Sequence, residues 1–445
     1  MTRRRALATT LVGTALLFMA ESCGDMKDDV QVAENFALGD ALPGTDGAEF
    51  AEAKAAFNTS ENATDGLGPI FNERGCGTCH QNGAIGGAGQ QVEARFGRIT
   101  NGVFDGMESV GGSLRQLFGI GGFNVGGLNC SSGTDANPAA GATIFAGRLT
   151  TPVFGLGLVD SLPDSRFDTL AGREASSIRG IVNRVATVLP NPDDGSQTVG
   201  GTRVGRFGWK AGVPNLTQFS ADAYVNEMGI TTTHCIRGAR VAAFALENRA
   251  NRAPTNALIN GCPDDVIPGT DEDAAAELNN CAGGATGLNE DVEEFAFFMT
   301  HLAPPTALSI TAGSGQDRGN ALFNGTALNC AGCHRSDADI FVSTNVNGVP
   351  AGIRFAPYSD FLLHDMGSLG DQIGNTGDAI STTTRMRTAP LWGLRSRNKL
   401  LHDGRTTDRA AAITAHAGQG AAAAAAFNAL TSAQKNDLLL FLATL

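Results

Sequence analysis

The sequence predicts a mainly α-helical protein made of two related halves, the first enlarged by a long, glycine-rich and loop-rich insertion with a few short strands. Three observations predict this fold. A Cys-x-x-Cys-His motif occurs at residues 76–80 and again at 330–334, each time shortly after a Phe-Asn pair. Each half closes with an apolar segment of helical period. The 58 glycines and only 17% charged residues indicate many loops rather than a long helical bundle.

The chain begins with a pattern typical of an export signal. Three arginines at residues 3–5 precede an apolar run, 6–20, that is too short to span a bilayer and is followed by small residues. Cys23 follows in a loose version of the site where bacterial lipoproteins are cut and acylated, but the usual leucine is missing. We therefore predict an export signal at 1–23, an acidic tether at 24–45 and a periplasmic location. Both simple cleavage and a lipid anchor on Cys23 remain open.

The Cys-x-x-Cys pair within the repeated motif is used in three kinds of site. A zinc ribbon needs two cysteine pairs close together, and a thioredoxin-like site needs one pair at a helix start in a βαβ setting. Only covalent haem attachment also needs the following histidine, because the thiols bind the vinyl groups and the imidazole binds the iron. We therefore predict two covalently attached haem c groups. The first is held by Cys76, Cys79 and His80, and the second by Cys330, Cys333 and His334.

The closing segments define the halves. The first, NEDVEEFAFFMTHLAPP, is a helix that ends at Pro304 and Pro305. The second, LTSAQKNDLLLFLATL, begins with Thr431 and Gln434 in the spacing of a capping box, and its leucines recur at helical period. A helix before the haem motif and a closing helix packed across it are the plan of a class I cytochrome c. The sequence therefore predicts two such haem domains, at residues 46–303, which include the insertion, and at 304–445.

Four further cysteines remain outside the haem motifs and Cys23, namely Cys130, Cys235, Cys262 and Cys281. An even number in an oxidising compartment predicts two disulfides, with three ways to connect them. Cys262 with Cys281 is the preferred pair because the two bracket a short loop, and free buried thiols are the alternative.

The charge of the chain limits its partners. A net charge of −13 and a pI near 5.0 argue against nucleic acid and anionic lipid as binding partners. They are compatible with an electron donor that presents a basic face.

Several motifs in this order resemble a known family. GPIFNERGCGTCH, GRFGWKAGVPNLTQF, PYSDFLLHDMG, RTAPLWGL and LHDGR, spread over roughly residues 46–445, resemble bacterial di-haem oxidoreductases of the peroxidase or thiol oxidoreductase type. These are relatives of di-haem cytochrome c peroxidase and of the di-haem enzyme that matures methylamine dehydrogenase. The resemblance implies that a small redox protein or quinol-linked donor reduces the second haem. Hydrogen peroxide or another small oxidant would then react at the first haem, and the resemblance also allows a bound Ca²⁺.

The resemblance also implies catalytic residues. Related di-haem peroxidases carry a Trp, a Gln and a Glu in the first domain, and here Trp209, Gln218 and Glu227 follow in that order. Glu227 would move a proton between the peroxide oxygens, Gln218 would be its polar neighbour, and Trp209 would conduct electrons between the haems. The alternative is an amphipathic helix with Glu227 facing solvent and Trp209 in the core.

The resemblance places the sixth ligand of the second haem about one short helix after LHDGR. His416 lies fourteen residues after His402, and no Met or Tyr occurs between Arg387 and the C-terminus. His416 is therefore the predicted ligand, with an ordinary helix-end histidine as the alternative. His364 and Met366 either bind iron or line a haem pocket.

The other candidates have weaker grounds. His301 is expected to be a packed core histidine, and His234 receives no role. Arg387 and Arg405 are candidates for pairing with haem propionates, because a guanidinium matches carboxylate geometry, with simple solvation as the alternative.

Three functions fit this sequence. The first is a peroxidase-like di-haem oxidoreductase, the second is an electron carrier with two six-coordinate haems, and the third is a di-haem oxygenase that acts on an organic substrate with O₂. An open iron at the first haem separates the electron carrier from the two enzymes.

Overall fold

The computed structural model describes residues 35–62, 65–68, 70–107, 113–125, 128–132, 141–187, 201–230, 235–236, 239–240 and 290–445. The predicted export signal, Cys23, His234, Cys262 and Cys281 lie outside these residues, as do the side chains of Cys130 and Cys235. Their predicted roles and the disulfide pairing therefore stay predictions. No helix among the described residues is long and apolar enough to cross a membrane.

Helices form the framework on which both haem motifs are placed. They are α1 (Gly47–Phe57), α2 (Cys76–Cys79), α3 (Leu156–Asp160), α4 (Asp164–Arg173), α5 (Leu216–Ala223), α6 (Glu290–His301), α7 (Gly315–Asn324), α8 (Ile380–Thr383), α9 (Arg409–Thr414), α10 (Ala421–Ala429) and α11 (Ser432–Leu442). A π-helix, Tyr224–Met228, continues α5, and a 3-10 turn, Cys330–Gly332, begins the second motif.

The ends of these helices follow local sequence signals. The predicted capping box of α11 is confirmed, because the Thr431 hydroxyl accepts from the Gln434 N–H and the Gln434 side chain accepts from the Thr431 N–H. Asp46 and Ser314 cap α1 and α7 without a capping box, because in each case only the side chain of the cap accepts from backbone N–H groups of the first turn. The alanine run 421–426 is helical, which follows from the high helix propensity of alanine.

In the C-terminal part, α7 crosses α11 directly before the second haem motif. The crossing is close because a Cβ added at Gly319 would overlap the Asp437 carbonyl oxygen and the Phe441 side chain. Arg318 and Asp437 pair beside it through two hydrogen bonds, of 2.7 and 2.9 Å. Phe323 and Phe441 stack across the same contact with ring centres 5.2 Å apart. A helix before the motif and a closing helix packed across it therefore occur here as predicted.

The N-terminal part repeats this arrangement around the first motif. Helix α1 packs on α6, where Phe57 and Phe298 have ring centres 4.8 Å apart. Helix α3 also packs on α6, at Gly157, where an added Cβ would overlap the backbone of Thr300. The two haem motifs are thus each flanked by a crossed pair of helices. 

The strands are short and lie mostly between residues 92 and 149. They are β1 (Ile70–Phe71), β2 (Val92–Thr100), β3 (Val103–Asp105), β4 (Leu114–Arg115), β5 (Phe118–Gly119), β6 (Gly121–Val125), β7 (Leu128–Ser132), β8 (Ile144–Leu149), β9 (Arg184–Ala186), β10 (Thr202–Val204), β11 (Cys235–Ile236), β12 (Ala239–Arg240), β13 (Leu363–Asp365) and β14 (Arg385–Arg387). β2 is the longest, and β3, β4 and β8 all pair with it in antiparallel register. β13 pairs antiparallel with β14, which places His364 opposite Met386.

The buried side chains form two clusters. The smaller cluster surrounds the α7–α11 crossing and includes Phe323, Leu438 and Leu445. The larger cluster surrounds α1, α3 and α6 and also takes in residues 340–362 and Trp392. Part of the predicted C-terminal domain therefore packs on the core of the first half, within a single unit, Gln31–Leu445. The predicted division between residues 303 and 304 stays a prediction.

Candidate functional site

The second attachment motif lies on the 3-10 turn directly after α7. Its histidine, His334, is fixed by a hydrogen bond of 2.9 Å between Nδ1 and the Tyr358 carbonyl oxygen. A carbonyl only accepts, so Nδ1 carries the proton and Nε2 keeps its lone pair. Burial, and then the nearby imidazole of His416, lower the pKa of His334 to about 4. His334 is therefore a neutral imidazole, which is the form that binds a metal ion.

His416 lies just after α9 and faces His334. The two ring centres are 6.5 Å apart, and the ring planes are inclined by 62°. The Nδ1 of His416 donates to the Ala412 carbonyl oxygen at 2.9 Å, so its Nε2 is also left with a lone pair. Burial lowers the pKa of His416 as well. The structure thus brings together the two histidines that the sequence assigns to the second haem.

A cavity of about 440 Å³ contains both histidines, Cys330 and Cys333. Its volume is in the range of cofactor pockets, and its lining is mostly apolar. Three arginines also line it, namely Arg387, Arg397 and Arg409. The Nε atoms of Arg397 and Arg409 are buried without a hydrogen-bond partner. Buried guanidinium groups with unused donors fit a ligand that carries carboxylates, as haem does through its propionates.

The two arginines predicted from the sequence lie in different environments. Arg387 is buried in the cavity wall, and its Nε donates to the Gly208 carbonyl oxygen at 2.7 Å. Burial lowers the pKa of Arg387 to about 10, so the guanidinium stays charged. Arg405 is not among the lining residues of this cavity, and its half-exposed side chain pairs with Asp403 at 2.6 Å. The predicted propionate contact therefore has a geometric basis for Arg387 but none for Arg405.

The two alternative ligands of the second iron also line this cavity. Met366 contacts the segment that carries His416, since a Cβ at Gly420 would come within 3.2 Å of the His416 ring and 3.3 Å of the Met366 methyl group. Both nitrogens of His364 are engaged, Nε2 with Asp360 at 2.9 Å and Nδ1 with the Cys333 sulfur at 3.8 Å. Cys333, Asp360 and His364 could together hold a small metal ion. With its sulfur bound to haem, Cys333 would not be free for that purpose.

The first attachment motif forms the short helix α2. Burial raises the pKa of Cys76 to about 12 and also raises the pKa of Cys79. Burial lowers the pKa of His80 to about 4, so this imidazole is neutral too. The His80 ring lies against Phe57 of α1 with ring centres 5.9 Å apart, and its Nδ1 is buried without a hydrogen-bond partner. Thiols in such surroundings react poorly in thiol–disulfide exchange, which argues against a thioredoxin-like site.

Glu227 lies on the π-helix beside this motif. Its Oε2 accepts from the Asn72 side chain at 2.7 Å, and its carbonyl oxygen accepts from the Asn72 N–H at 2.7 Å. Its carboxylate also raises the pKa of Cys79, so the two groups are close. Burial raises the pKa of Glu227 itself, although Asn72 and Arg95 lower it. A partly buried carboxyl group that is hydrogen-bonded on a π-helix is typical of functional sites, and Glu227 does not simply face solvent here.

Gln218 is buried on α5, the helix that continues into the π-helix of Glu227. It lies one helical turn after the N-cap residue Asn215. Its N–H is capped by Asn215 at 2.8 Å, and its side chain lies 3.4 Å from the Ala186 carbonyl oxygen. 

Trp209 lies between the two motifs. Its indole N–H donates to the Leu149 carbonyl oxygen at 2.8 Å, and the next residue, Thr150, hydrogen-bonds to the Cys79 side chain. On the other side Trp209 lines the cavity of the second motif and packs edge-on against His402, with ring centres 6.2 Å apart. Its role as an electron-transfer bridge stays a prediction.

The structure also places His301 as expected from its helix. Its Nδ1 lies 2.9 Å from the Phe297 carbonyl oxygen within α6, and it is buried against the turn at Gly348.

Several site residues were not found from the sequence. Arg397 and Arg409 line the second cavity, Asn72 holds Glu227, and Arg95 lies near Glu227 with its pKa lowered to about 10, chiefly by burial. Asn72 had a usable signal, since it belongs to the Phe-Asn pair that precedes the first motif. The three arginines had no such signal, because Arg397 lies in a loop, Arg409 begins a helix and Arg95 lies within a strand, none of them in a recognisable motif.

Two attachment motifs and a cavity that holds two facing imidazoles are features of a haem-binding redox protein. The family model described as "Di-haem oxidoreductase, putative peroxidase" matches residues 141–445, which is more than half of the chain. The chain therefore belongs to this family of di-haem oxidoreductases, as the sequence motifs predicted. The matched residues include the second attachment motif and His416, whereas the first attachment motif precedes them.

Other comparisons give distant similarity. A structure of hydrazine synthase from Kuenenia stuttgartiensis is similar with a TM-score of 0.36 and 10% identity, covering 97% of this chain and 100% of that one. The di-haem peroxidase BthA of Burkholderia thailandensis is similar with a TM-score of 0.30 and 14% identity, covering 66% of this chain and 78% of that one. No curated protein matches the sequence.

Proposed function

We propose that this chain is an exported c-type di-haem enzyme that reduces peroxide with electrons from an external donor. The donor would be a small redox protein or a quinol-linked protein in the periplasm. Electrons would enter at the second haem and leave at the first. When bound, the haem irons would supply the redox centres and, at the first site, the open position where the oxidant binds.

One observation carries the proposal, namely the geometry of His334 and His416. An imidazole nitrogen lies about 2 Å from a bound transition-metal ion, so two imidazoles on opposite sides of one ion have ring centres about 6 to 6.5 Å apart. The separation here is 6.5 Å. Each ring donates its Nδ1 proton to a backbone carbonyl, which leaves the Nε2 lone pair of each imidazole for a metal ion. This arrangement supports ligation of the second iron by both histidines.

The surroundings of His334 and His416 support an electron-transfer role for the second haem. Both ligand positions would be filled, so no position would remain for peroxide. Arg387, Arg397 and Arg409 would neutralise the propionates. Ligation by two imidazoles gives a lower potential than ligation by an imidazole and a thioether, so the donor would have a correspondingly low potential.

The first site carries the acid–base group. His80 would hold the iron from one side, and Glu227 is a partly buried carboxyl group whose charge raises the pKa of Cys79. The raised pKa of Glu227 keeps the group close to the range where it can both take and give a proton. We propose that Glu227 takes the proton from one peroxide oxygen and returns it to the other, oriented by the hydrogen bond from Asn72. Gln218 would act as a polar neighbour.

Trp209 would conduct electrons between the two sites. It contacts the Leu149–Thr150 segment on the side of the first motif and the cavity wall on the side of the second. 

Residues 1–23 would direct export, and acylation of Cys23 would anchor the protein to a membrane. A Ca²⁺ ion remains part of the proposal on the basis of the family resemblance. The covalent attachment of the haems rests on the two Cys-x-x-Cys-His motifs.

His416→Ala tests the proposal directly. In the unsubstituted holoprotein we expect two covalent haems in a pyridine haemochrome assay and a low-spin EPR signal from a bis-imidazole haem. His416→Ala should convert that signal to high spin while both haems stay attached. His301→Ala is the matched control, because His301 makes the same type of bond to a carbonyl four residues earlier but lies outside the cavity. An unchanged signal in His416→Ala, or a 695 nm thioether band in the native protein, would assign the ligand to another residue such as Met366.

Anaerobic titration of the partly reduced holoprotein with hydrogen peroxide, followed by a separate measurement of O₂ consumption in the presence of organic substrates, distinguishes the three functions. A peroxidase should consume two electrons per peroxide rapidly. Two six-coordinate haems that do not react would indicate an electron carrier. A protein that is inert to peroxide but consumes O₂ only with an organic substrate would indicate an oxygenase.

A further inference from the structure

A buried carboxylate, that of Asp371, joins two cations from distant parts of the chain. Its Oδ2 lies 2.8 Å from Arg148 Nε, and its Oδ1 lies 2.6 Å from Lys210 Nζ. The Asp371 side chain is fully buried, and the side chains of Arg148 and Lys210 are mostly buried. None of the three has a role in the function proposed above, and none lines the cavity of the second motif. This charged triad therefore calls for an explanation of its own.

The two cations flank the hydrogen bond that holds the Trp209 indole. Lys210 directly follows Trp209 in the chain. Arg148 directly precedes Leu149, whose carbonyl oxygen accepts from the indole N–H at 2.8 Å. Each end of this hydrogen bond is therefore one residue away from a cation that Asp371 binds. A single carboxylate thus ties the segment that donates this bond to the segment that accepts it.

Lys210 is held by two further bonds. Its ammonium group donates to the carbonyl oxygens of Thr383 and Arg385, at 2.7 Å each. An ammonium group has three protons, so these two bonds and the contact with Asp371 account for all of them. An N–H of β14 also donates to the Trp209 carbonyl oxygen at 2.8 Å. The side chain of Lys210 and the backbone of Trp209 are therefore fixed together.

The contact between Lys210 and Asp371 lies between two unusual backbone positions. Gln372 has a φ of 60°, and it turns the Ile373 N–H onto Asp371 Oδ1 at 3.0 Å. Ala211, the residue after Lys210, has a φ of 47°. Residues other than glycine seldom adopt this left-handed backbone, and those that do are concentrated at functional sites. The surrounding contacts must therefore maintain a costly conformation at both ends of the ion pair.

The segment that accepts from the indole packs on the first attachment motif. Thr150 follows Leu149, and its carbonyl oxygen accepts from the Gly89 N–H at 3.2 Å. A Cβ added at Gly89 would overlap the Cys79 carbonyl oxygen and would come within 2.8 Å of the Thr150 side chain. Gly89 therefore packs between Cys79 and Thr150, which fixes the Leu149–Thr150 segment relative to the first motif.

Added stability is a weak explanation for the triad. Burial removes the hydration of its charges, and a buried ion pair often adds little net stability over apolar residues of the same size. In some proteins such groups instead select one arrangement of the parts that they join. The parts joined here are the two ends of the indole hydrogen bond, so the arrangement concerned is the position of the Trp209 ring.

We propose that Asp371 is a positioning residue that acts through Lys210 and Arg148 to hold Trp209 at a fixed separation from the first motif. The inference rests on the electron-transfer role of Trp209 in the proposed function. No bond forms or breaks at Asp371, and its charge does not change. Because electron transfer through protein slows steeply with distance, a bridge that moves away from its neighbour conducts more slowly. Asp371 thereby sets the rate between the haems without taking part in the transfer itself.

Pulse radiolysis of the holoprotein tests this role, because an electron is delivered rapidly and its redistribution between the haems is followed optically. Asp371→Asn keeps the shape of the side chain but loses the charge that holds both cations. It should slow the transfer by about tenfold, within the loss of up to about a hundredfold that a misplacement of about 1 Å can cause. The optical and EPR spectra of both haems should stay unchanged. Lys210→Met, which removes only the ammonium group, should slow the transfer similarly and serves as the test if Asp371→Asn does not fold.

A double-mutant cycle with Trp209→Phe separates positioning from a general loss of structure. If Asp371 acts through Trp209, Asp371→Asn should not slow the transfer further in a Trp209→Phe protein. Ultraviolet resonance Raman difference spectra against Trp209→Phe isolate the Trp209 indole, and Asp371→Asn should weaken its N–H hydrogen bond. Additional slowing in the double variant would overturn the inference. An indole bond and a transfer rate that are both unchanged in Asp371→Asn would overturn it as well.

Asp160→Asn is the matched control. Asp160 is an equally buried aspartate that pairs with Arg203 at 2.5 Å and accepts from the Leu216 N–H at 3.0 Å. Its carboxylate thus binds β10 and α5 rather than the segments that carry Trp209 and Leu149, so the transfer rate should not change. Equal slowing in this variant would show that loss of any buried charge is sufficient and would overturn the inference. Unchanged transfer in Trp209→Phe would instead contradict the bridge of the proposed function.

Discussion

A single carboxyl group, that of Glu227, carries the proton chemistry of the proposed reaction. Glu227 is partly buried, accepts a hydrogen bond from the Asn72 side chain, and lies on a π-helix. The neighbouring backbone also depends on it, because its carbonyl oxygen binds the N–H groups of Asn72 and Glu73. The π-helix that presents it therefore joins the acid–base group to the segment leading into the first motif.

Glu227→Gln should lower peroxide turnover by about a hundred- to ten-thousandfold, the usual contribution of general acid–base catalysis. The substituted side chain can still accept from Asn72, so the resting haem spectra should be nearly unchanged. Glu227 must start ionised to take the first proton, and burial raises its pKa. The limb of activity that rises with pH should therefore lie above the ordinary carboxyl range and should be absent from the variant. The measurement is kcat for peroxide against pH.

Glu73→Gln is the control for this experiment. Glu73 also lies near Cys79 and raises its pKa, but its carboxylate is bound by Gln91 at 2.7 Å. Turnover within a fewfold of the unsubstituted protein is expected. Equal losses in both variants would indicate that negative charge near the motif, rather than proton transfer by Glu227, is what matters.

Among individual residues, the sequence predicted those that can be identified from their neighbours along the chain. The cysteines and their histidines are adjacent in the chain, and His416 stood out because no Met or Tyr competes with it in its segment. Asp371 could not be found, because Arg148 and Lys210 reach it only in the folded chain. Arg405 was a candidate because of its place in LHDGR, and Arg397 was not considered, since no short motif encodes which arginine lies in the cavity wall.

Among the elements, the α7–α11 crossing holds the second motif in place. Helix ends were predictable because capping and proline act within a few residues, as at Thr431 and Pro304. The short distance between these two helices could not be predicted, because it depends on which residues lie opposite Gly319 in the folded chain. The pairing of β2 with three short strands was equally hidden, since strand partners are selected by tertiary packing rather than by local propensity.

Gly319→Ala should destabilise the protein by about 1–3 kcal/mol, the usual cost of overpacking, because the new methyl group would overlap the Asp437 carbonyl oxygen. The chain must move α7 and α11 apart, so the second haem should also be perturbed. Denaturant unfolding of the holoprotein measures the loss, and the low-spin EPR signal reports the geometry of the haem.

Gly172→Ala provides the matched helical control. Gly172 lies in α4, and an added Cβ there would meet nothing within 4 Å. Alanine has the higher helix propensity, so this variant should be as stable as the native protein or more stable by about 0.4–1 kcal/mol. A Gly319→Ala protein with unchanged stability would show that the crossing tolerates separation.

For the whole molecule, buried carboxyl groups set how stability depends on pH. The pKa of Glu61 is raised from 4.5 to about 7 by burial and then by Asp291 and Asp65, and that of Glu174 is raised to about 8. A raised carboxyl pKa means that the folded state holds its proton more tightly than the unfolded state. The resulting stabilisation is full below pH 4.5 and is lost as pH rises through about 7 to 8.

The melting temperature of the holoprotein should therefore fall between pH 5 and pH 8. Glu61→Gln combined with Glu174→Gln should flatten that decline, because neither group then has to ionise in the folded core. At lower pH an opposite decline is expected, since Asp371, despite its burial, has its pKa lowered by Arg148 and Lys210. A melting temperature that rises steadily from pH 5 to pH 8 would contradict the assignment of raised pKa values to both glutamates.

The hydrogen bond from the Trp209 indole to the Leu149 carbonyl has a consequence for kinetics. A peptide carbonyl oxygen is too weak a base to remove the indole proton, so a ring that gives up an electron keeps its hydrogen. Charge would then cross the molecule as a positive hole, without any hydrogen nucleus moving. Replacing H₂O by D₂O should accordingly leave the rate constant for transfer between the haems unchanged, whereas Trp209→Phe should slow it.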